Sequence, residues 1–257
     1  RYGLLEIPLR FKGSRKTYPN RVFLLDTSAS MGQKGLAKTT RFCRALLSNL
    51  PRHGHFTVIA GDVKARFFRK KMVSFKTKKK VLLFLKKQTP RGGTNFEALF
   101  RALHGIIKDQ TDIIYLGDGK NSLGEMDPDR LQTIFTKAMA GKKVRFSALA
   151  FGNNPDLSFL RRLARSNGGR VIHLLPHQNI ELIAKQFEKE LLRPHLQQIS
   201  LSFKGITDII RLNQYDTASG KSLFVAGRMV AKVVRVLLRG RVEGKGQYQY
   251  KAVVEPH

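Results

Sequence analysis

Apolar runs of strand length alternate with amphipathic stretches of helical spacing from about residue 20 to residue 192. The first strand is predicted at 21–26, and the run at 65–68 is expected to lie antiparallel at an edge. Strands that alternate with helices of this length predict a mostly parallel sheet covered on both faces, the doubly wound α/β class. The other strands are predicted at 56–60, 112–116, 144–151 and 170–175, and the helices at 33–50, 77–88, 95–108, 128–140, 155–166 and 179–192.

After Pro194 the pattern changes to short alternating runs separated by glycines. Such runs predict a small antiparallel β appendage. Near the N-terminus, Pro8 restricts the run 4–11 to an edge strand or an extended passage that can join the appendage. We therefore predict an N-terminal extended segment at 1–19, including a polar linker before Pro19, an α/β domain at 20–193 and the appendage at 194–257. The appendage strands are predicted at 196–203, 206–212, 222–228, 230–239 and 248–254.

The first predicted strand ends in a cluster of oxygen-bearing side chains. Asp26, Ser28 and Ser30 occupy alternate positions directly after an apolar run, and Gly32 follows. A buried strand has no structural use for such an ending. Where the strand opens into a loop, one carboxylate and two hydroxyls form a compact set of hard oxygen ligands suited to a divalent cation such as Mg²⁺.

Two later segments have the same form. Thr94 lies in a glycine-rich loop just before a predicted helix, and Asp118 follows the apolar run 113–116. In doubly wound sheets, ligands bind in the crevice beyond the carboxyl ends of the strands, where these residues are expected to meet. The alternative is that Asp26 and Asp118 only cap the helices that follow them. Three loops in this order favour a metal site over capping.

The Asp-x-Ser-x-Ser, Thr and Asp pattern resembles the metal-ion-dependent adhesion site of von Willebrand factor A domains. The resemblance covers about residues 20–192. It implies one Mg²⁺ per chain, or Mn²⁺ or Ca²⁺ in its place. It implies that Ser28, Ser30 and Thr94 ligate the metal directly, that Asp26 and Asp118 act through water, and that an acidic group of a protein ligand completes the coordination. The expected function is a non-enzymatic, adhesion-type binding module.

The chain departs from the family pattern at one position, and its C-terminal part resembles one group within the family. Gly117 stands where the family usually has threonine, so a hydroxyl near the metal is lost and metal affinity is expected to fall. The segment that continues from the last predicted helix into the appendage resembles the inter-alpha-trypsin inhibitor heavy-chain group, in which a β-rich segment follows the von Willebrand factor A domain. This second resemblance implies an extracellular or cell-envelope location.

The charge of the chain is abnormally positive. Forty-eight lysines and arginines against 18 acids leave a net charge of +30, and no acid occurs between Val63 and Phe96. Such a balance predicts non-specific binding of polyanions, and a nucleic-acid or glycosaminoglycan binder built on the same scaffold is the alternative function. No apolar stretch is long enough to span a membrane, and we expect a monomer. The candidate polyanion contacts are Arg69, Lys70, Lys71, Lys78, Lys79, Lys80, Lys86 and Lys87.

The distribution of the charge argues against a single polyanion site, because cations occur in nearly every solvent-facing segment. Thr77 is expected to cap a helix, with Lys80 at the position where a capping box has Glu or Gln. Lysines in a first helical turn also oppose the helix dipole. This pattern favours deliberate supercharging, in which exposed acids are replaced and structural acids are kept, over a natural polyanion site.

Overall fold

The computed structural model divides the chain into two compact units, residues 18–190 and residues 1–17 with 191–257. The first strand, β1 (Tyr2–Leu9), therefore belongs with the C-terminal segment. The predicted polar linker at 12–17 lies outside the described residues. The structure describes residues 2–11, 18–50, 54–139, 141–194, 196–211, 221–242 and 246–254.

The elements of the larger unit follow the predicted order, and the last helix continues past residue 190. In chain order they are β2 (Asn20–Asp26), α1 (Gly32–Ser48), β3 (His55–Gly61), β4 (Ala65–Phe67), β5 (Val73–Ser74), α2 (Lys78–Lys86), α3 (Phe96–Leu103), β6 (Thr111–Gly117), α4 (Pro128–Ala138), β7 (Val144–Ala150), α5 (Leu157–Ser166), β8 (Val171–His173) and α6 (Ile180–Leu192). The predicted helix 95–108 ends early, at Leu103, because the backbone turns at His104 and then at Gly105, which has a φ of +78°. The short strand β5 was not predicted.

The strands of this unit form one mostly parallel sheet in the order β4-β3-β2-β6-β7-β8, which confirms the predicted fold class. β2 pairs in parallel with both β3 and β6, whereas β4 and β5 pair antiparallel with β3. The chain moves from β2 to one side of the sheet and later returns to the other side as β6. The carboxyl ends of β2 and β6 therefore flank a topological switch point, where ligands bind in such sheets.

Helices cover the sheet on both faces. Val22 and Leu24 of β2 belong to a buried cluster with residues of α3, α4 and α5. Phe23 and Leu25 alternate with them, point to the other face and are also fully buried. Helix α1 contacts β2 and β6, and its Phe42 ring lies 5.8 Å from the ring of Phe187 in α6. A sheet buried on both faces explains why its strands read as continuous apolar runs.

Thr77 is the N-cap residue of α2, as predicted, but its side chain does not cap the helix. Thr77 has φ −86° and ψ 1° and makes no side-chain cap hydrogen bond, because the chain already turns in a 3₁₀ helix at Phe75–Thr77. The Thr77 hydroxyl instead donates to the carbonyl oxygen of Ser74 at 2.8 Å. Lys78 and Lys80 lie in the first turn of α2, directly after this 3₁₀ turn, and no acid occurs in that first turn.

Within its described residues, the smaller unit has two three-stranded antiparallel sheets, in the orders β1-β11-β10 and β13-β12-β9. β1 is an edge strand, as Pro8 requires, and the two sheets contribute side chains to one buried cluster. The fourth predicted strand begins at Val234 rather than Val230, since the Val230 N–H bonds the carbonyl oxygen of Gly205 and a bend follows. The strands after β8 are β9 (Leu196–Lys204), β10 (Ile206–Arg211), β11 (Lys221–Met229), β12 (Val234–Val242) and β13 (Gly246–Val254).

Candidate metal centre

Hydrogen bonds join side chains from the first two predicted loops at the end of the sheet. Asp26 is the last residue of β2, and the Thr94 hydroxyl, just before α3, lies 3.4 Å from each of its carboxylate oxygens. The Ser28 N–H donates to Asp26 Oδ1 at 2.8 Å, and the hydroxyls of Ser28 and Ser30 are 2.9 Å apart. Asp118, directly after β6, is near enough for its charge to act on Asp26.

Backbone hydrogen bonds hold the three loops together. The Ala29 N–H donates to the Gly92 carbonyl at 2.8 Å, which ties the first loop to the second. The Thr94 N–H donates to the Ser122 hydroxyl at 2.9 Å, and the Leu123 N–H donates to the Thr94 carbonyl at 3.0 Å. These bonds tie the second loop to the third, so the relative positions of the side chains are set by backbone as well as by side-chain contacts.

The alternative that the two aspartates cap helices is wrong. The N-cap of α1 is Met31, which makes no side-chain cap bond, and the N-cap of α4 is Asp127. The carboxylate of Asp118 accepts the Lys120 N–H at 3.0 Å within its own loop. Capping therefore does not explain why carboxylates occupy these two positions.

Burial sets the electrostatics of the cluster. Asp26 is fully buried, Ser28, Thr94 and Asp118 are buried, and Ser30 is exposed. Burial raises the pKa of Asp26 and the charge of Asp118 adds to this, although hydrogen bonds from Tyr115 and Ser28 oppose it. Burial and the nearby charge of Asp118 thus disfavour the ionised form of Asp26, and a bound cation would stabilise it.

The donor chemistry fits a hard divalent cation. Two carboxylates and three hydroxyls supply only oxygen ligands, which suit Mg²⁺, Mn²⁺ or Ca²⁺. Within the described part of the chain, no three His, Cys, Asp or Glu side chains gather in one place. A metal at this position would therefore depend on the hydroxyls of Ser28, Ser30 and Thr94.

Tyr115 belongs to the cluster and was missed by sequence reasoning. Its hydroxyl donates to Asp26 Oδ2 at 2.7 Å and accepts the Gly119 N–H at 3.1 Å. Burial and the charges of Asp26 and Asp118 raise the pKa of Tyr115 well above its ordinary value, so the hydroxyl stays protonated. In the sequence, Tyr115 is indistinguishable from the other apolar residues of its strand. Its position two residues before Gly117 places it on the same face of β6, but that pattern does not show that its hydroxyl is used.

A second buried carboxylate lies beside the first loop. Asp62, just after β3, accepts bonds from Arg66 Nη1 at 2.9 Å and from Arg91 Nε at 3.2 Å, and Arg66 Nη2 also reaches the Thr27 hydroxyl. Burial alone would raise the pKa of Asp62, but the bonds from Arg66, the Lys64 N–H and Arg91 hold it below its ordinary value. Asp62 is therefore an ion-pair residue that ties the first and second loops.

The candidate polyanion contacts lie between β4 and the loop after α2. Among them Lys78 is half-buried, with its ammonium 4.1 Å from the centre of the Phe75 ring, and the other seven are exposed. Surface acids are also present, and Glu181 and Asp129 pair with arginines. Both polyanion binding and deliberate supercharging stay predictions. In the part of the chain that the structure describes, no helix is long and apolar enough to cross a membrane.

Comparison with solved structures shows the same fold in von Willebrand factor A proteins. The von Willebrand factor type A protein from Catenulispora acidiphila matches 98% of this chain and 72% of its own, with a TM-score of 0.56 and 14% identity. Proximal thread matrix protein 1 from the mussel byssus, in a structure titled as having a zinc-occupied MIDAS motif, matches 74% of this chain and 47% of its own. Its TM-score is 0.51 and its identity 15%.

Sequence comparison identifies relatives that are much longer than this chain. Human inter-alpha-trypsin inhibitor heavy chain H2 is 27% identical over 225 residues, which cover 81% of this chain and 24% of that protein. Human heavy chain H3 is 26% identical over 226 residues. The chain therefore spans about a quarter of the length of these relatives. The family model described as von Willebrand factor type A domain matches residues 20–172, more than half of the chain. The chain thus belongs to the von Willebrand factor type A domain family, and within it is similar to the inter-alpha-trypsin inhibitor heavy chains.

Proposed function

We propose that this chain is a non-enzymatic binding module that holds one divalent cation, Mg²⁺ or else Mn²⁺ or Ca²⁺, and uses it to bind an acidic group of a partner protein. The observation that carries the proposal is the hydrogen-bonded cluster of Asp26, Ser28, Ser30 and Thr94, with Asp118 close by. The carboxylates of Asp26 and Asp118 are buried and repel each other, whereas Ser30 is exposed and can be reached by a partner protein. Similarity to the inter-alpha-trypsin inhibitor heavy chains favours an extracellular location.

The five residues of the cluster have two kinds of role in this proposal. As the resemblance to the family implies, the hydroxyls of Ser28, Ser30 and Thr94 bind the metal directly, and the exposed Ser30 lies on the side open to a partner. Asp26 and Asp118 balance the charge of the cation and orient its water ligands. The bound cation supplies a positive centre for a carboxylate. The module is proposed to comprise residues 20–193, followed by the β-rich segment 194–257.

Binding of a peptide with a single glutamate tests this function, with the glutamine version of the peptide as control. We expect the glutamate peptide to bind in Mg²⁺, to lose binding in EDTA, and to lose it in Asp26→Asn. The glutamine peptide should not bind under any of these conditions. Fluorescence anisotropy of labelled peptides measures all three comparisons.

The alternative function is polyanion binding through net charge, and it predicts binding that depends neither on EDTA nor on Asp26→Asn. The eight candidate polyanion contacts, seven of them exposed, are the observation that favours it. A polyanion would bind wild type and Asp26→Asn equally and would ignore EDTA. With six to ten phosphate contacts, its affinity would fall about 10³–10⁵-fold between 50 and 200 mM salt. Glutamate-peptide binding that follows this pattern would refute the metal-dependent function.

A further inference from the structure

Gly117 at the end of β6 leaves a space that another side chain fills. A Cβ atom at this position would lie 2.3 Å from Asp26 Cβ and 2.4 Å from the hydroxyl oxygen of Tyr115. Both distances are far below van der Waals contact, so no larger residue fits beside Tyr115 here. The absence of a threonine hydroxyl at position 117 was expected to weaken the site. A different hydroxyl, that of Tyr115, two residues earlier on the same strand, occupies this region.

The Tyr115 hydroxyl connects two of the three loops. It donates to Asp26 Oδ2 at 2.7 Å, and it accepts the N–H of Gly119, the residue after Asp118, at 3.1 Å. The other carboxylate oxygen, Asp26 Oδ1, accepts the Ser28 N–H at 2.8 Å. The two bonds to Asp26 act on different oxygens, and together they fix the orientation of the carboxylate plane.

The ring of Tyr115 is itself held by the core. The side chain is fully buried, and its ring centre lies 5.1 Å from that of Phe96, the first residue of α3. A packed ring cannot move without disturbing the core, so its hydroxyl is a fixed point rather than an adjustable one. Phe96 follows Thr94 by two residues, which places the support of Tyr115 next to the second loop as well.

We propose that Tyr115 is a positioning residue of the metal centre, which orients Asp26 and couples it to the Asp118 loop, and that Gly117 makes room for its hydroxyl. This inference rests on the proposed metal binding. Tyr115 does not bind the metal, because its hydroxyl oxygen is already bonded to Asp26 and Gly119. It acts through Asp26, which orients the water ligands of the metal, and outer-shell groups of this kind affect metal affinity strongly.

Tyr115→Phe tests the proposal, because it removes the hydroxyl and keeps the ring. We expect the affinity for Mn²⁺ and Mg²⁺, measured by isothermal titration, to fall about 10–100-fold. Tyr248→Phe is the matched control, since its hydroxyl bonds a backbone carbonyl in the smaller unit, and its metal affinity should equal that of wild type. Titrations are run well below the melting temperature of the least stable variant, so that all samples are folded.

A spectroscopic readout separates positioning from a purely structural role. A cation bound next to Asp26 should polarise the hydrogen bond from Tyr115 to its carboxylate and give a tyrosine ultraviolet difference spectrum, and the chain has no tryptophan to obscure it. We expect Mg²⁺ to produce this spectrum in wild type and in Tyr248→Phe but not in Tyr115→Phe. Wild-type affinity in Tyr115→Phe, with binding lost in Asp26→Asn, would overturn the role of Tyr115 and leave the metal site standing. No metal binding by wild type would overturn both.

Discussion

Asp26→Asn is expected to stabilise the metal-free protein at neutral pH and to abolish its stabilisation by Mg²⁺. Asp26 is fully buried, and its pKa is raised by burial above the ordinary value of 3.8. The stability associated with the neutral form is therefore fully present below pH 3.8 and is lost as the pH rises through the folded-state pKa. Asparagine keeps an acceptor for the Ser28 N–H without the charge. In wild type, Mg²⁺ at 100 times its Kd should add about 2.7 kcal/mol, and in the variant nothing.

Asp62→Asn is the matched control, because Asp62 is also buried at the end of a neighbouring strand. Burial raises its pKa, but the hydrogen bonds from Arg66, the Lys64 N–H and Arg91 together lower it below the ordinary value, so its contribution to stability is present above pH 3.8 and is lost as the pH falls through the lowered pKa. We expect this variant to melt lower than wild type at neutral pH and to keep a response to Mg²⁺. Thermal melts across pH, with and without Mg²⁺, measure both variants. A less stable Asp26→Asn that still responds to Mg²⁺ would contradict the assignment.

Asp112→Ala is expected to cost about 3–5 kcal/mol, the usual effect of removing one partner of a buried ion pair. Asp112 in β6 faces Arg145 in β7, and the guanidinium donates to both carboxylate oxygens, at 2.6 and 2.8 Å. Each side chain is only 3% exposed. Without Asp112, a buried guanidinium loses its carboxylate in a region that water does not reach.

The matched control for this change is Glu181→Ala. The pair of Glu181 with Arg41 is equally short, at 2.7 Å, but the two side chains are 49% and 62% exposed. Water therefore screens the attraction and replaces the lost partner, so unfolding in urea should shift little. If Asp112→Ala unfolds at the same urea concentration as Glu181→Ala, the Asp112–Arg145 pair does not stabilise the sheet as its burial implies.

The sequence predicts the architecture well because the sheet is buried on both faces. Strands such as β2 and β6 then appear as uninterrupted apolar runs, and the polar residues that end them stand out. Asp26 and Asp118 were recognised in this way, and the geometry brings Asp26 together with Ser28, Ser30 and Thr94. The start of α2 agrees with the prediction, but the capping bond of Thr77 is absent, because the backbone already turns one residue after Ser74.

Tyr115 could not be recognised from periodicity, because a tyrosine in a buried strand has the same hydrophobic signature whether its hydroxyl is used or not. Its role depends on the close approach of β2 and β6 at Gly117, which only the tertiary structure gives. The same holds for Asp62, whose arginine partners come from β4 and from the loop before Thr94. Polar contacts between loops are set by tertiary packing and leave little trace in local patterns.

A divalent cation is proposed to bind at the hydroxyls of Ser28, Ser30 and Thr94, close to Asp26 and Asp118. The most direct test is a crystal structure grown with Mn²⁺, with anomalous scattering used to locate the metal. We expect a peak coordinated by the hydroxyls of Ser28, Ser30 and Thr94, with metal–oxygen distances near those of a small octahedral cation, about 2.0–2.2 Å. An empty site at saturating Mn²⁺, or a metal bound only elsewhere on the chain, would contradict it.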